Sequence, residues 1–483
     1  MTIGDKSAAQ LGRDIASGAL SSQEVTHYYI EQIKSHNPKI NAVIDDRFEA
    51  AVAESHVADA AREAGDIKGA LHGVPMTVKD AFEVEGLSCT VGAPQFANHI
   101  SDRNAVVVNK LREAGAIILG KTNTPLFCGD WQSFNELHGT TNNPHNLEHT
   151  PGGSSGGSAA ALAAGMTPLE YGSDIGGSIR IPAHYCGLFG HKPTYGIVSK
   201  AGHVPPPHGT RAPTALSVVG PLARSVEDLE LALDLTIGLD APQSNAMQLK
   251  LQAPRATTPQ GLRIGVWSDD AYCAIDSELK SAIEEAAAKL GAAGAQIIDM
   301  RPDFTLAEHT EAYFMLLNPI MATSFPESTH KKLQAAVEAA DPEDKSLEIM
   351  QARGARLLYK DWLLWDEARA QLAWKWQQYF EKVDVLFCPV TPTPAMPHTQ
   401  TLPFEARAFS VNGKPRKYME NIIWAGISIM CGLPSTAVPL GKHSSGLPMG
   451  MQVVGPAYED KTPIAVARML EAAGYVFQKP LMN

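Results

Sequence analysis

Residues 151–158 read Pro-Gly-Gly-Ser-Ser-Gly-Gly-Ser, and residues 172–180 read Gly-Ser-Asp-Ile-Gly-Gly-Ser-Ile-Arg. Glycine carries no Cβ, so the backbone of such stretches can adopt unusual conformations and approach a ligand closely. Successive backbone N–H groups in the second stretch can then converge on one oxygen, which is the geometry of an oxyanion hole. The predicted donors are Ile175, Gly176, Gly177 and Ser178.

Other interpretations of these two stretches are weaker. A phosphate-binding loop needs a Lys directly after its last glycine, and neither stretch has one. A nucleophile elbow needs G-x-S-x-G between a strand and a helix. Residues 152–156 fit that pattern, but residues 146–151 before them are polar and irregular rather than strand-like. Tight turns alone would not explain two Gly-Gly-Ser segments 178 − 154 = 24 residues apart.

Outward from these stretches, the sequence alternates between helix and strand patterns. Residues 131–157 are predicted to be irregular, and Ala159–Ala164 forms a small apolar helix that belongs in the core. Alternation of this kind predicts an α/β fold, with a sheet covered by helices on both faces. The predicted helices are two within the first forty residues, then 47–65, 104–114, one that starts at Ser225, and 276–290. The predicted strands are a short one within 72–80, then 116–120, 262–266, 296–298, 383–389 and 449–454.

Residues 305–380 differ from the rest, because they are predicted to be nearly continuous helix with breaks near Pro319, Pro326 and Pro342. This segment holds four of the seven tryptophans, which either pack as a helical layer or line a substrate pocket. No linker stands out, so we expect a single domain, 1–483. Its catalytic core covers about 60–235 and 384–483, and about 305–380 is a helical elaboration.

Composition excludes several classes of protein. The net charge of −12 gives no basic surface for nucleic acid, and no run of 18 apolar residues predicts a membrane span. The six cysteines form no C-x-x-C pair, and the histidines at 138, 145 and 149 fit no common zinc motif. Residues 1–13 contain no secretory h-region. We therefore expect a cytoplasmic protein with no cofactor and no metal.

The chain resembles the amidase signature family, and the resemblance covers most of its length. The motifs that carry it are residues 151–194, Gly73-Val74-Pro75, Val78-Lys79-Asp80, residues 220–225 and residues 446–452. The signature departs from the family at His191, where Leu is usual, which we expect to be a tolerated packing change. The implied fold is that of the family, a large twisted mixed β-sheet covered by helices.

The resemblance implies a Ser–cisSer–Lys triad, in which Ser178 is the nucleophile, Ser154 the bridging serine after a cis peptide bond, and Lys79 the base. Lys is a poor base at its free pKa of about 10.4, and burial can lower that pKa by several units. The apolar residues around Lys79 predict such burial. Its neighbour Asp80 should point to the opposite face of the strand.

The implied activity is hydrolysis of a linear carboxamide through an acyl-enzyme, with a small-molecule amide as substrate. By position, Cys128, Gly129 and Asp130 face the substrate together with Ser154, and Asp130 either binds a leaving amine or caps a turn. Alternatives are a glutaminase-type subunit of a tRNA-dependent amidotransferase, a hydrolase of carbamates or esters, and a non-catalytic binding protein on this scaffold. Many relatives form homodimers, so a homodimer is possible.

Overall fold

A computed structural model describes residues 2–482, which contain fourteen α-helices and fifteen strands. The helices are α1 (Ala8–Ser17), α2 (Ser22–Ile40), α3 (Phe48–Glu63), α4 (Val106–Glu113), α5 (Gly156–Ala163), α6 (Arg180–Cys186), α7 (Val226–Thr236), α8 (Ser277–Ala292), α9 (Leu306–Met321), α10 (Glu327–Ala339), α11 (Leu347–Ala355), α12 (Tyr359–Lys382), α13 (Asn421–Ile429) and α14 (Lys461–Ala472).

The strands fall into one large sheet, one small sheet and two short hairpins. They are β1 (Val43–Asp46), β2 (Pro75–Lys79), β3 (Ile117–Thr122), β4 (Phe134–Asn135), β5 (Gly139–Thr140), β6 (Leu169–Asp174), β7 (Phe189–Lys192), β8 (Val218–Ala223), β9 (Arg263–Val266), β10 (Gln296–Ile298), β11 (Val385–Pro389), β12 (Ala408–Val411), β13 (Lys414–Lys417), β14 (Ser435–Lys442) and β15 (Pro448–Val454).

The large sheet has eight strands in the order β10-β9-β11-β15-β14-β7-β8-β6. β9 pairs in parallel with β10 and β11, and the remaining pairs are antiparallel, so the sheet is mixed. In the small sheet β3 pairs in parallel with β2 and antiparallel with β1. The predicted α/β fold with a large mixed sheet is confirmed.

Helix α5 explains why the chain needs small residues after the first Gly-Ser stretch. All eight of its residues are buried, and it packs against α6 and β6. A Cβ on Gly157 would lie 2.6 Å from the carbonyl oxygen of Asn123, closer than atoms can approach. Glycine therefore lets this helix lie directly against the backbone that follows β3.

In the sequence, Ser21-Ser22-Gln23-Glu24 has the pattern of a capping box and predicts the start of the second helix, and Ser225 predicts the start of α7. Ser21 accepts a hydrogen bond from Glu24 N, and the Glu24 side chain accepts one from Ser21 N in return, which is a capping box. At the start of α7, Ser225 accepts from Asp228 N. Both helices therefore begin where the sequence predicts.

Two predictions about local structure hold only in part. The helical segment 305–380 is interrupted around Pro326 and Pro342, as predicted, and α9 ends two residues after Pro319, which lies inside it. The further gap between α11 and α12 was not predicted. The segment 131–157 is not wholly irregular, since it contains the short pair β4 and β5.

His191 is more than a tolerated packing change. It is fully buried on β7, where its Nδ1 lies 2.9 Å from Thr436 Oγ1 and its Nε2 lies 3.2 Å from Asp460 Oδ1. Asp460 also accepts hydrogen bonds from Thr194. The imidazole therefore joins β7 to β14 and to the residue before α14, which Leu could not do.

Among residues 2–482, no helix is long and apolar enough to cross a membrane.

Candidate active site

Lys79 is the last residue of β2, and its side chain is fully buried. Its Nζ donates a hydrogen bond to Ser154 Oγ at 2.6 Å and another to Ser173 Oγ at 3.1 Å. Lys79, which belongs to the small sheet, thus contacts both the first Gly-Ser stretch and the end of β6 in the large sheet. Ser173 lies within the second quoted stretch, but sequence reasoning assigned it no role.

Burial is the main cause that lowers the pKa of Lys79 below its ordinary value. The neighbouring Cys128, Asp174 and Glu170 act in the opposite direction without cancelling it. Desolvation disfavours an ammonium that lacks a close carboxylate partner. The environment of Lys79 therefore favours the neutral amine that a proton acceptor requires.

Asp80 points away from Lys79, as the strand alternation predicts. Its carboxylate accepts from Lys121 Nζ at 3.1 Å and from the Thr90 hydroxyl at 2.5 Å. Both side chains of the Lys121–Asp80 ion pair are fully buried. Because Asp80 has its own cation, it does not hold Lys79 in the charged form.

The two Gly-Ser stretches meet beside Lys79. The peptide bond between Gly153 and Ser154 is cis, which is the geometry that the resemblance implies at this position. Ser155 N donates to Ser178 O at 3.2 Å, and the Ser155 hydroxyl contacts the backbone of Ser173. The structure therefore brings Lys79, Ser154 and Ser178 into one buried region.

Ser178 lies between the end of β6 and the start of α6, and 5% of it is exposed. Within residues 2–482, its hydroxyl is engaged in no hydrogen bond. Gly177 just before it has φ of +94°, and a Cβ there would lie 2.6 Å from Ile181 Cδ1. Only glycine fits both restrictions, so the turn that presents Ser178 requires Gly177.

Asp174 organises the backbone around Ser178. Its carboxylate accepts from Gly177 N at 2.8 Å and from Ile179 N at 3.1 Å. The N–H of Gly177 is therefore engaged, which corrects the prediction that it is an oxyanion donor. In the part of the chain that the structure describes, the N–H groups of Ile175, Gly176 and Ser178 have no partner, so they are available to a ligand oxygen.

Asp174 itself is paired with Arg180, and both side chains are fully buried. Burial alone would raise the pKa of Asp174, but the charge and hydrogen bonds of Arg180 hold that pKa below its ordinary value. The same guanidinium bonds Ala425 O and Ser428 on α13 and Gln452 on β15. Arg180 lies in the quoted stretch, yet its partners are distant in sequence, so sequence reasoning missed its role.

Cys128 and Gly129 lie in a short turn after β3. Phe127 and Cys128 both have left-handed backbone conformations, with φ of +50° and +57°. Consecutive left-handed residues other than glycine are uncommon and concentrate at functional sites. Cys128 Sγ accepts a hydrogen bond from Thr124 Oγ1 at 3.4 Å. The Cys128 side chain also lies near Lys79. The turn is therefore close to the buried Lys79, and its contact with the substrate stays a prediction.

Asp130 caps a turn rather than offering a free carboxylate. It accepts from Gln132 N at 3.1 Å, from Tyr418 Oη at 2.6 Å and from Arg407 Nη1 at 2.5 Å. The Arg407–Asp130 pair is almost completely buried. Of the two roles that the sequence left open for Asp130, the geometry favours the turn cap.

One group among the described residues has the composition of a metal site. Suitable atoms of Glu83, His99 and His208 lie within 4.8 Å of one another. However, the rings of His99 and His208 stack with centroids 3.4 Å apart, so their lone pairs do not converge on one point. Glu83 already pairs with Arg103 and His208. Glu83 and His208 are therefore engaged by hydrogen bonds, whereas the buried Nε2 of His99 has no partner among the described residues. His138, His145 and His149 are not part of this group.

Comparison with known proteins identifies the class. A family model described as Amidase matches residues 24–463. One of the relatives is a subunit of glutamyl-tRNA(Gln) amidotransferase from Acinetobacter baumannii (strain AB0057). It is 31% identical over 490 residues, which cover 96% of this chain and 95% of that protein.

Solved structures agree with this. A bacterial aryl acylamidase of the amidase signature family superposes with a TM-score of 0.81 at 25% identity, over 97% of this chain and 96% of that one. A 6-aminohexanoate cyclic dimer hydrolase does so with a TM-score of 0.79 at 26% identity, over 100% and 99%. Fold and sequence together define an amide hydrolase. The chain belongs to the amidase signature family.

Proposed function

We propose that this protein hydrolyses the C–N bond of a linear carboxamide through an acyl-enzyme on Ser178. Lys79 is the base and Ser154 relays the proton between Lys79 and Ser178. The observation that carries the proposal is the 2.6 Å hydrogen bond between Lys79 and Ser154, which lies in a fully buried region beside the Ser178 turn.

The proposed reaction begins with neutral Lys79 taking the proton of Ser154, while Ser154 takes the proton of Ser178. The Ser178 oxygen then bonds to the carbonyl carbon, and the carbonyl oxygen becomes negatively charged. Free N–H groups of Gly176 and Ser178 stabilise that charge by hydrogen bonding. The relay returns a proton to the leaving nitrogen, the C–N bond breaks, and water hydrolyses the ester.

A fluorophosphonate probe tests the nucleophile directly. We expect it to label the wild type at Ser178 and to leave Ser178→Ala unlabelled, with amide hydrolysis lost in parallel. Ser444→Ala is a suitable control, because Ser444 is exposed and its hydroxyl bonds only Glu278. Labelling that persists in Ser178→Ala, or an active Ser178→Ala variant, would contradict the proposal. A wild type that hydrolyses no amide, ester or carbamate would favour a non-catalytic binding protein.

A glutaminase-type subunit is the second candidate, because the relative from A. baumannii belongs to an amidotransferase. Gel filtration of the protein expressed alone, followed by an amide assay on the eluted peak, separates the two. We expect activity without any partner, in a monomer or a homodimer. Activity that appears only when the other chains of an amidotransferase are added would favour the second candidate.

The class of amide that the protein hydrolyses is determined by an activity panel. Neighbours in structure include an aryl acylamidase and a cyclic dimer hydrolase, so one fold serves different amides. A panel of aryl amides, short aliphatic amides, amino-acid amides, esters and carbamates, run on wild type and Ser178→Ala, would identify the class. Faster turnover of a cyclic amide than of any linear one would overturn the linear assignment.

A further inference from the structure

Every carbonyl of the oxyanion loop, defined here as residues 175–178, accepts a hydrogen bond from the surrounding protein. Two donors come from the local backbone, namely Ile181 N to Gly177 O at 2.7 Å and Ser155 N to Ser178 O at 3.2 Å. The other two are side chains: Tyr313 Oη donates to Ile175 O at 2.6 Å, and Trp131 Nε1 donates to Gly176 O at 2.9 Å.

These carbonyl contacts determine where the loop's N–H groups point. In a trans peptide, the carbonyl and the following N–H point in opposite directions. The bond from Tyr313 to Ile175 O therefore turns the Gly176 N–H away from Tyr313. The bond from Trp131 to Gly176 O likewise directs the Gly177 N–H toward Asp174, where it is bound. The Gly176 and Ser178 N–H groups are left for a ligand.

Tyr313 reaches the loop from α9, which sequence analysis placed in the helical elaboration. Its side chain is fully buried, and 138 residues separate it from Ile175. Gly426 on α13 makes room for the ring, since a Cβ there would lie 2.7 Å from Tyr313 Cδ1. Burial raises the pKa of the Tyr313 phenol well above its ordinary value, so it remains a donor.

We propose that Tyr313 and Trp131 are positioning residues for the Gly176 N–H. Tyr313 fixes the Ile175–Gly176 peptide so that this N–H faces the carbonyl oxygen under attack, and Trp131 fixes the adjoining Gly176–Gly177 peptide on the other side of the same Cα. This inference rests on the proposed function, since it assigns a task to helix α9 in that same reaction. Neither side chain needs to touch the substrate. Segment 305–380 therefore contributes to the rate of the reaction, and not only to the choice of substrate.

The expected signature is a loss of kcat with little change in KM. Hydrogen bonds to the carbonyl oxygen strengthen as its negative charge develops, so misalignment of a donor acts mainly on the transition state. Removal of an entire oxyanion donor lowers kcat by about 100- to 1,000-fold. Loss of its positioning partner should lower kcat by less, about 10- to 100-fold.

Tyr313→Phe tests this, with Tyr171→Phe as the matched control. Both tyrosines are fully buried, and both hydroxyls make a 2.6 Å hydrogen bond, but that of Tyr171 joins Thr236 rather than the oxyanion loop. We expect similar losses of thermal stability in the two variants and a selective fall of kcat in Tyr313→Phe. A boronic acid that mimics the tetrahedral adduct should also bind Tyr313→Phe about 10-fold or more weakly. Equal kcat values in the two variants would refute the inference.

A second variant covers the case in which Tyr313→Phe does not fold. Trp131→Phe removes the donor to Gly176 O while keeping an aromatic ring, and it should lower kcat in the same way. Unchanged kcat in a folded Trp131→Phe would refute the inference on its own. If instead the proposed function were wrong, the result would differ: Ser178→Ala would stay active, or the wild type would hydrolyse no substrate.

Discussion

The side chain of Lys79 lies where its charged form is disfavoured, and burial holds its pKa below 10.5. Protonated Lys79 cannot accept a proton from Ser154. Activity should therefore be lost as pH falls through the pKa of Lys79 in the folded protein and be retained above it. A profile of kcat/KM from about pH 6 to about pH 10 reports this pKa.

Lys79→Arg is the comparison for that profile. A guanidinium stays protonated over this whole range, so the variant should remain inactive even at alkaline pH. A wild-type profile that is flat, or that falls as pH rises, would contradict the role of Lys79 as base.

We predict that replacement of Asp174 lowers the stability of the protein as well as its activity. In Asp174→Asn, Arg180 becomes a buried cation without its partner, and the Gly177 and Ile179 N–H groups lose a charged acceptor. Breaking a buried ion pair in this way costs about 3–5 kcal/mol. Denaturant unfolding would measure the change in free energy of unfolding.

Glu31→Gln provides the reference value for that experiment. Glu31 pairs with Lys34 on the exposed face of α2, and both side chains are more than half exposed. Surface changes of this kind stay within about 0.5 kcal/mol. A similarly small effect in Asp174→Asn would mean that the Arg180 pair does not stabilise the loop.

Helix α11 lies so close to α9 that its one glycine is required. A Cβ on Gly354 would lie 2.7 Å from Phe314 O and 2.9 Å from Asn318 Cβ. Gly354→Ala should therefore destabilise the protein by about 1–3 kcal/mol, the usual cost of overpacking. Thermal or denaturant unfolding of the purified variant would show it.

Gly291 in α8 is the matched helical glycine with space around it. Its nearest neighbour to an added Cβ is Ile297 Cγ1 at 3.4 Å, an ordinary contact. Gly291→Ala should stabilise the protein by about 0.4–1 kcal/mol, because alanine restricts the unfolded chain. If both variants change stability in the same direction, the close packing of α9 and α11 is not the cause.

Strong local signals were enough to predict most helices, as the capping box at Ser21 and the Ser cap at Ser225 illustrate. Strand β6 carried no such signal. It is buried throughout, yet it contains Glu170 and Asp174, whose partners Thr77 and Arg180 become apparent only in the folded chain. A core strand that contains such polar residues lacks the continuous apolar pattern from which a buried strand is predicted.

In the candidate site, too, local motifs could be recognised from the sequence, whereas contacts between distant elements could not. That Lys79, Ser154 and Ser178 lie in one region could be predicted because all three belong to recognisable motifs, and their catalytic roles stay a proposal. The positions of Tyr313 and Trp131 could not be predicted, since their contacts to residues 175 and 176 depend on how distant elements pack. The extent of the domain, 1–483 with its core and elaboration, stays a prediction.

For the whole molecule we predict that chelation does not affect activity. The proposed reaction uses two hydroxyls, an amine and backbone N–H groups. In the Glu83, His99 and His208 group, Glu83 pairs with Arg103 and His208, and the two imidazole rings are stacked. Activity after dialysis against EDTA should equal that of the untreated protein. Loss of activity that zinc restores would overturn this expectation.

Arg180 connects the turn that presents Ser178 to Gln452 on β15, whereas Lys79 comes from the other sheet of the protein. A ribosome releases these parts in order, so the base and both serines emerge hundreds of residues before the strand that completes the Arg180 cradle. Fragments that stop short of that strand would carry every reactive group and still be inert. Catalysis would thus begin only after that strand has left the ribosome and joined the sheet.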